Sequence, residues 1–273
     1  MWSYAALGWR TARKEWFLLF LLFIYQYVFG YVLFNYVKSK IVPLLHRYPG
    51  SDLTEFSSQL FWLEAQFRLT KTDLIMPYLW TFAIFLAFRM LLTPLINSGI
   101  YNALSNAKEE GGSRKAFFRG IRKYAKPFLL LYGLQMALTF APLAWIVPRL
   151  VEAGMSTHSW TALAMEVLPY LLGWFAYQGL LDLIFMYIGF GIVSGQGGWT
   201  ALAVVGRRSL QASALGLTVF LISCAVGLAT AAASLWWAGF IAVLIHLSYP
   251  LVRILLHLWA ISAQHHLWNA SKP

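Results

Sequence analysis

The amino-acid sequence predicts an all-α fold, a polytopic membrane bundle of six transmembrane helices with interfacial amphipathic elbow helices and both termini in the cytoplasm. Hydrophobic residues make up 60% of the chain and charged residues 11%, whereas soluble domains average roughly 45–50% and 25%. Several apolar runs reach the length of about 20 residues that a helix needs to cross the hydrocarbon. Lysine and arginine collect in alternate connections, which is typical of multi-pass membrane proteins.

The apolar runs, and the charged and turn residues between them, divide the chain into six spanning helices within a single membrane domain, 1–273. The first run is too long for the apolar part of a signal peptide and lacks a small-residue cleavage site, so we expect it to remain as a helix. The main connections are an outer loop at 38–73 and a basic inner loop at 105–126. The helices are predicted at 16–37, 74–104, 127–147, 166–193, 213–235 and 238–262.

The distribution of positive charge predicts the orientation. Of the lysines and arginines outside the spans, thirteen fall on the side of the N-terminus and six on the opposite side. Because such an excess faces the cytoplasm and its anionic lipid headgroups, we expect both termini inside and a location in the cell (plasma) membrane. The formal charge of +11 is thereby assigned to the membrane surface, and no nucleic-acid partner is predicted.

Three inner segments resemble one another. "GGSRKAFFRGIRKYAKPFLLL" at 111–131 and "GGWTALAVVGRRSLQASALGL" at 197–217 share Gly-Gly, a glycine eight positions later and an arginine two beyond it. The N-terminal "GWRTARKEWFLLF" at 8–20 is similar to "GIRKYAKPFLLLY" at 120–132. Each segment is short, partly basic and leads into a spanning helix. The pattern indicates a possible threefold repeat of an elbow followed by a helix pair.

The outer loop contains one further helical pattern. Asp52 and Glu55 stand three apart, like a capping box. One helical face is then formed by Phe56, Leu60, Leu63 and Phe67. We expect a helix that lies on the outer leaflet or over the mouth of the bundle. A docking surface is the alternative.

The sixth predicted helix carries a polar stripe. His246, Arg253, His257 and Gln264 lie within roughly 20° of one line along a helix, over a length of about 27 Å. Pro250 lies near the same face and leaves the carbonyl of His246 without its helical partner. Because charge facing lipid is costly, we expect the stripe to face the bundle interior or a wet cavity.

Other polar groups fall inside predicted spans and complete a candidate intramembrane site. The helix directions place Arg89, Asp182 and Arg253 at similar depth. Asp182 is therefore the predicted ion-pair partner of one arginine, and the other is left for water, a lipid phosphate or an anionic ligand. These residues either line a translocation path or bind an anionic ligand, or they only fix the helix register. A third alternative is that the charged side chains snorkel to the membrane surface. The members of the candidate site are Arg89, Gln178, Asp182, His246, Arg253 and His257.

No catalytic motif, metal site or cofactor site is predicted. The sequence has no Gly-x-x-x-x-Gly-Lys phosphate loop, no His-Glu-x-x-His and no Gly-x-Ser-x-Gly. His246 and His257 are about 16 Å apart along one helix, too far to share a metal. His265 and His266 are expected to contact lipid headgroups, and the single cysteine, Cys224, excludes an intramolecular disulfide.

The fifth predicted helix has small residues at regular spacing. Ser223, Gly227 and Ala231 repeat every four residues, which allows close approach of two helix backbones. The contact is either within the chain or between chains.

The arrangement resembles that of a group of bacterial six-helix membrane proteins, which includes the membrane-domain family attached to glycerophosphodiester phosphodiesterases. "SGIYNALSNAKEEGGSRKAFFRGIRKYAKPF" at 98–128 and its degenerate copy at 194–214 carry this resemblance. It implies a multi-pass inner-membrane component, often encoded beside transport or envelope functions. It implies no enzymatic activity, because the phosphodiesterase domain is missing.

The chain also resembles the permease subunits of ABC-type exporters. "AALGWRTARKEWF" at 5–17 is similar to their N-terminal elbow, and 108–126 to a basic loop that docks an ATPase. This resemblance implies a non-catalytic membrane subunit of a transport system. The alternatives are a structural or assembly subunit of a larger membrane complex and a phospholipid-binding membrane protein. The candidate residues for docking a protein partner or anionic headgroups are Arg114, Lys115, Arg119, Arg122, Lys123, Arg207 and Arg208.

Overall fold

The structure is a computed structural model that describes residues 2–45, 76–106, 111–156, 160–236 and 239–271. Long α-helices make up nearly all of this described part. They are α1 (Trp2–Lys14), α2 (Trp16–Leu45), α3 (Met76–Asn106), α4 (Ser113–Phe140), α5 (Leu143–Ser156), α6 (Trp160–Val193), α7 (Gly198–Trp236) and α8 (Phe240–Asn269).

Within the described residues, six helical stretches are long and apolar enough to cross a membrane. The prediction of a helical chain with six such segments is therefore confirmed. The stretches are Trp16–Ser39, Met76–Asn106, Ser113–Glu152, Ala164–Val193, Gly198–Trp236 and Ala242–Asn269.

Most of the helices extend further than the sequence predicts, but the helix predicted to run to 147 ends at Phe140, and α5 begins at Leu143. The elbow segments differ from one another. α1 is separated from α2 at Glu15, whereas the second elbow segment is continuous with α4. In α7 the helix runs on from Gly198, but Arg208 has non-helical backbone angles, φ −122° and ψ 24°. Apolar runs mark only the stretch that suits hydrocarbon, while backbone hydrogen bonds carry a helix into polar sequence as well.

The chain divides into two compact units, and each is described by itself. The smaller one comprises residues 21–93 and the larger one residues 1–20 and 94–273.

In the smaller unit, α2 packs against the first part of α3. Phe29 lies with its ring 5.1 Å from that of Phe85, and the Tyr36 hydroxyl donates to the carbonyl of Tyr78 at 2.8 Å. Tyr25 and Thr93 hydroxyls are 3.0 Å apart. The contacts run in opposite directions along the two helices, so the pair is antiparallel. The helix predicted within 52–67 of the outer loop lies outside the described residues.

The larger unit is closely packed at one end and loosely packed at the other. We call the first the packed end, which comprises α1 and residues 94–106, 113–128, 181–193, 198–219 and 254–269. We call the second the open end, which comprises residues 129–156, 160–180, 220–236 and 240–253. Tyr101, Tyr187, Phe190 and Trp268 are buried in the packed end, whereas large apolar side chains of the open end, such as Leu228, are exposed.

Glycines set the close helix contacts of the packed end. A Cβ added at Gly8 of α1 would lie 2.6 Å from the backbone of Ala263 in α8, and one at Gly120 would lie 2.5 Å from Asn102. Gly206, at the equivalent position of the third repeat segment, has no neighbour within 4 Å of such a Cβ. Two of the three segments therefore use this glycine for packing, and the threefold repeat stays a prediction.

The first helix lies alongside the last turns of α8. The Trp259 indole donates to the carbonyl of Ala5 at 2.7 Å, Gly8 faces Ala263, and the Thr11 hydroxyl is 2.9 Å from Nε2 of His266. These contacts advance together along both helices, so α1 and the end of α8 run in the same direction. The N-terminal segment is thereby part of the packed end.

Candidate functional site

The polar stripe of α8 divides into two parts with different surroundings. Gln264 is 2% exposed. It accepts a hydrogen bond from the Tyr187 hydroxyl at 2.8 Å and donates to the carbonyl of Ala212 at 2.8 Å. It therefore joins α6, α7 and α8 inside the packed end. Arg253 and His257, by contrast, are exposed.

The two histidines after Gln264 also have protein partners. Nε2 of His265 is 3.0 Å from the Ser105 hydroxyl, and its ring lies 5.3 Å from that of Phe190. His266 contacts Thr11 of α1. The expectation that both residues contact headgroups is wrong for His265, which is buried, and the packing of α1 against α8 is the reason.

Arg253 and His257 line an open groove of about 800 Å³ between α7 and α8. Ser223 and Gly227 of α7 form part of its wall, and the Tyr249 hydroxyl would be 2.9 Å from a Cβ added at Gly227. Gly227 thus meets α8 of the same chain, and the approach of Gly216 to Gln264 shows that the two helices are antiparallel. Cys224 also borders the groove and is exposed.

Asp182 has a partner other than the one that the sequence predicts. Its Oδ1 accepts a hydrogen bond from the Gln135 amide at 2.7 Å, and the Gln178 amide lies 3.5 Å away. Within the described residues Asp182 and Arg253 form no ion pair. The predicted Asp182–Arg253 pair is therefore wrong, because Asp182 faces α4 instead of α8.

This carboxylate belongs to a polar ladder between α4 and α6. The Tyr177 hydroxyl donates to the carbonyl of Leu138 at 3.1 Å, and the Trp174 indole donates to the carbonyl of Thr139 at 3.3 Å. As the residue number rises on α4 it falls on α6. Asp182 thereby helps to fix the register of two antiparallel helices, which is the structural alternative that the sequence left open for it.

Within the described structure, the members of the predicted site that line the groove are Arg253 and His257. Arg89 lies in the smaller unit, where its side chain is exposed, and its pairing with Asp182 stays a prediction. His246 lies in α8, but its side chain is outside the described residues. Gln178 lies in α6 beside Asp182.

The predicted docking residues are presented at the surface of the packed end, on the first turns of α4 and on the first part of α7. Arg208 is half-buried, and the others are exposed: Arg114, Lys115, Arg119, Arg122, Lys123 and Arg207. Arg10, Arg13 and Lys14 of α1 are exposed as well. The packed end therefore combines a rigid interior with a basic surface.

Arg208 also lines a small cavity that adjacent Arg207 does not reach. The cavity has a volume of about 120 Å³ and is bordered by Tyr4, Arg208, Gln211, Leu215 and Leu267. It lies where α1, α7 and the end of α8 meet.

Sequence reasoning missed several functional and structural partners. Gln135 and Tyr187 carry no signal of their own, because a single polar residue on a long helix does not show which neighbour it faces. Tyr4 lies in a segment that predicts only an elbow. A helical wheel of α7 could have placed Gln211 near the face of Arg208, three residues away.

Comparison of the chain with protein-family models, curated proteins and solved structures finds no match. The two resemblances described above therefore stay predictions.

Proposed function

We propose that this chain is a non-catalytic membrane subunit of a transport system, and that its basic packed end docks a cytoplasmic protein partner such as an ATPase. The observation that supports the proposal best is the groove between α7 and α8. It lies within two stretches that can cross a membrane, yet it is lined by Arg253 and His257. Ionisable side chains at membrane depth are rare and usually mark a substrate pathway.

The groove is open and is large enough to hold a small molecule. Its volume of about 800 Å³ falls within the roughly 300–1,000 Å³ of small-molecule pockets. None of the side chains that line it is acidic, and in the described residues Arg253 has no hydrogen-bond or ion-pair partner. An arginine in this setting favours a substrate with a negative charge.

The basic surface supplies the docking part of the proposal. Exposed cations on α1, α4 and α7 share one end of the larger unit, and hydrogen bonds and glycine contacts hold that end together. A rigid surface of one sign of charge attracts an acidic partner and speeds its encounter. By the positive-inside rule this end faces the cytoplasm, with the chain in the cell membrane.

The test is affinity purification of the tagged chain from its own membranes in mild detergent, with mass spectrometry of the proteins that accompany it. A docking variant carries Lys115→Gln with Arg122→Gln, and a matched control carries Lys38→Gln with Arg149→Gln; all four side chains are exposed. We expect a stoichiometric ATPase with the wild type and the control. The docking variant should retain several-fold less.

Two results would contradict the proposal. Recovery of the chain with phospholipid alone would leave the basic surface without a protein partner. Recovery with other integral membrane proteins, retained equally by both variants, would make the chain an assembly subunit instead. Equal yields and unchanged gel-filtration profiles show that the variants are folded.

A further inference from the structure

The cavity at Tyr4, Arg208 and Gln211 gathers three polar side chains over an apolar floor. Leu215 and Leu267 form the floor and are each 2% exposed. Three helices contribute, since Tyr4 belongs to α1, Leu267 to α8 and the others to α7. Because these helices pack closely through Gly8 and Gln264, the arrangement is held by the packed end.

The backbone of α7 changes direction where the cavity forms. Arg208 has φ −122° and ψ 24° within an otherwise helical segment. The two adjacent arginines then differ, because Arg207 is exposed and Arg208 is half-buried against the cavity.

The polar groups of the cavity have no partner within the described part of the chain. Neither the Tyr4 hydroxyl, nor the Arg208 guanidinium, nor the Gln211 amide forms a hydrogen bond or ion pair there. No acidic side chain borders the cavity. A phenol, a guanidinium and an amide together offer a set of donors that suits a phosphate, and the planar guanidinium binds phosphate oxygens in pairs.

The size and position of the cavity favour the phosphate of a lipid. A volume of about 120 Å³ is several times the roughly 10–15 Å³ that one water molecule needs by the same measure, so a phosphate group fits. Leu215 borders this cavity, and the next residue, Gly216, borders the apolar groove of α7 and α8. A phosphate held here would have its acyl chains beside the apolar segments of the two helices.

We propose that this cavity binds the phosphate of an anionic phospholipid, with Arg208 as the main ligand and Tyr4 and Gln211 as additional donors. Basic pockets between membrane helices on the cytoplasmic side hold such headgroups. The inference goes beyond the transport and docking roles and does not depend on them. It also separates Arg208 from the other basic residues, which attract headgroups without a defined site.

The experiment measures bound lipid by native mass spectrometry. The full chain is reconstituted in an equimolar mixture of phosphatidylglycerol and phosphatidylcholine and then extracted, as wild type, Arg208→Gln and the adjacent control Arg207→Gln. We expect one retained phosphatidylglycerol per wild-type chain. Arg208→Gln should lower its retention about tenfold, as for loss of a charge-assisted hydrogen bond, whereas Arg207→Gln removes an equal charge that only attracts headgroups to the surface and should lower it far less.

A second measurement keeps the test decisive if Arg208→Gln fails to fold. Tyr4→Phe removes one hydroxyl, and a phosphatidylglycerol with a photoreactive group near its phosphate should label peptides with Tyr4, Gln211 or Leu267 in the wild type and less in this variant. Inorganic phosphate at millimolar concentration should not displace the lipid.

Three results would overturn the proposal. Equal loss of lipid in the Arg207 and Arg208 variants would show only general attraction to a basic surface. Equal retention of phosphatidylcholine would show that the charge of the headgroup is irrelevant. Displacement by inorganic phosphate would make the ligand a free anion instead of a lipid.

Discussion

Polar side chains differ in burial and hydrogen bonding between the two ends of the larger unit. In the packed end, Gln264 and His265 are buried and hydrogen-bonded to neighbouring helices. In the open end, Arg253 lines a groove and has no partner in the described chain. Both kinds of residue stand on the same helix, within a few turns of each other. The role of a polar residue in a membrane helix therefore depends on which helices lie beside it at that position along the bundle.

The difference has a physical basis. Where several helices converge, an amide can satisfy donor and acceptor at once and adds specificity to the packing. Where the helices separate, a guanidinium must find water, lipid or ligand. The packed end is thus suited to maintain the fold, and the open end to bind water, lipid or a ligand.

The comparison predicts the largest loss of stability for Gln264→Leu. The variant leaves the buried Tyr187 hydroxyl without its acceptor, so we expect the free energy of unfolding to fall by about 2–4 kcal/mol. The measurement is thermal unfolding in detergent, followed by tryptophan fluorescence. Adding Tyr187→Phe should recover part of the loss, because both polar partners are then absent. If Gln264→Leu unfolds like the wild type, the network does not stabilise the packed end.

The next largest effect is expected for Gly120→Ala. Its new methyl group would lie 2.5 Å from Cβ of Asn102, and such overpacking costs about 1–3 kcal/mol. Gly206→Ala is the matched control, because no neighbour lies within 4 Å there. The control should be neutral or stabilising by up to about 1 kcal/mol, since alanine favours a helix. Equal melting temperatures of the two variants would mean that the repeat glycines are equivalent.

Gln135→Leu should have a moderate effect. It removes the donor that lies 2.7 Å from the Asp182 carboxylate, and we expect a loss of about 1–2 kcal/mol. The double variant with Asp182→Leu should be more stable than Gln135→Leu alone, because no carboxylate then remains without its donor. Thermal unfolding of both proteins checks this. A double variant that is less stable than the single one would argue that Asp182 has another partner.

Arg253→Gln is expected to change stability least, by less than about 0.5 kcal/mol. The side chain is exposed and has no partner in the described residues. Once a partner ATPase is identified, we expect the variant to assemble with it. The rate of ATP hydrolysis by the ATPase should then no longer depend on the presence of the membrane subunit. A large fall in the melting temperature would place Arg253 among the structural residues.

The sequence predicted a polar stripe along one face of α8, because the period of an α-helix places Arg253, His257 and Gln264 on one side; for His246 this stays a prediction. It could not predict that Gln264 meets Tyr187 while Arg253 borders a groove. It was wrong about a pairing of Asp182 with Arg253, because helix periodicity gives the direction of a side chain but not the identity of the neighbouring helix. For the same reason the sequence did not predict the cavity at Arg208. That cavity also depends on a local break in α7, and no glycine or proline at that position indicates the break.

By itself the sequence determined that this chain forms long apolar helices, because hydrophobic length and composition are local properties of the chain. Six of the helices in its described part are able to cross a membrane. The tertiary structure alone decided which helices meet at the packed end, which polar side chains find partners, and which line the groove and the cavity. Those outcomes depend on contacts between residues far apart in the sequence, such as Trp259 with Ala5 and Gln135 with Asp182. Periodicity within one segment contains no information about them.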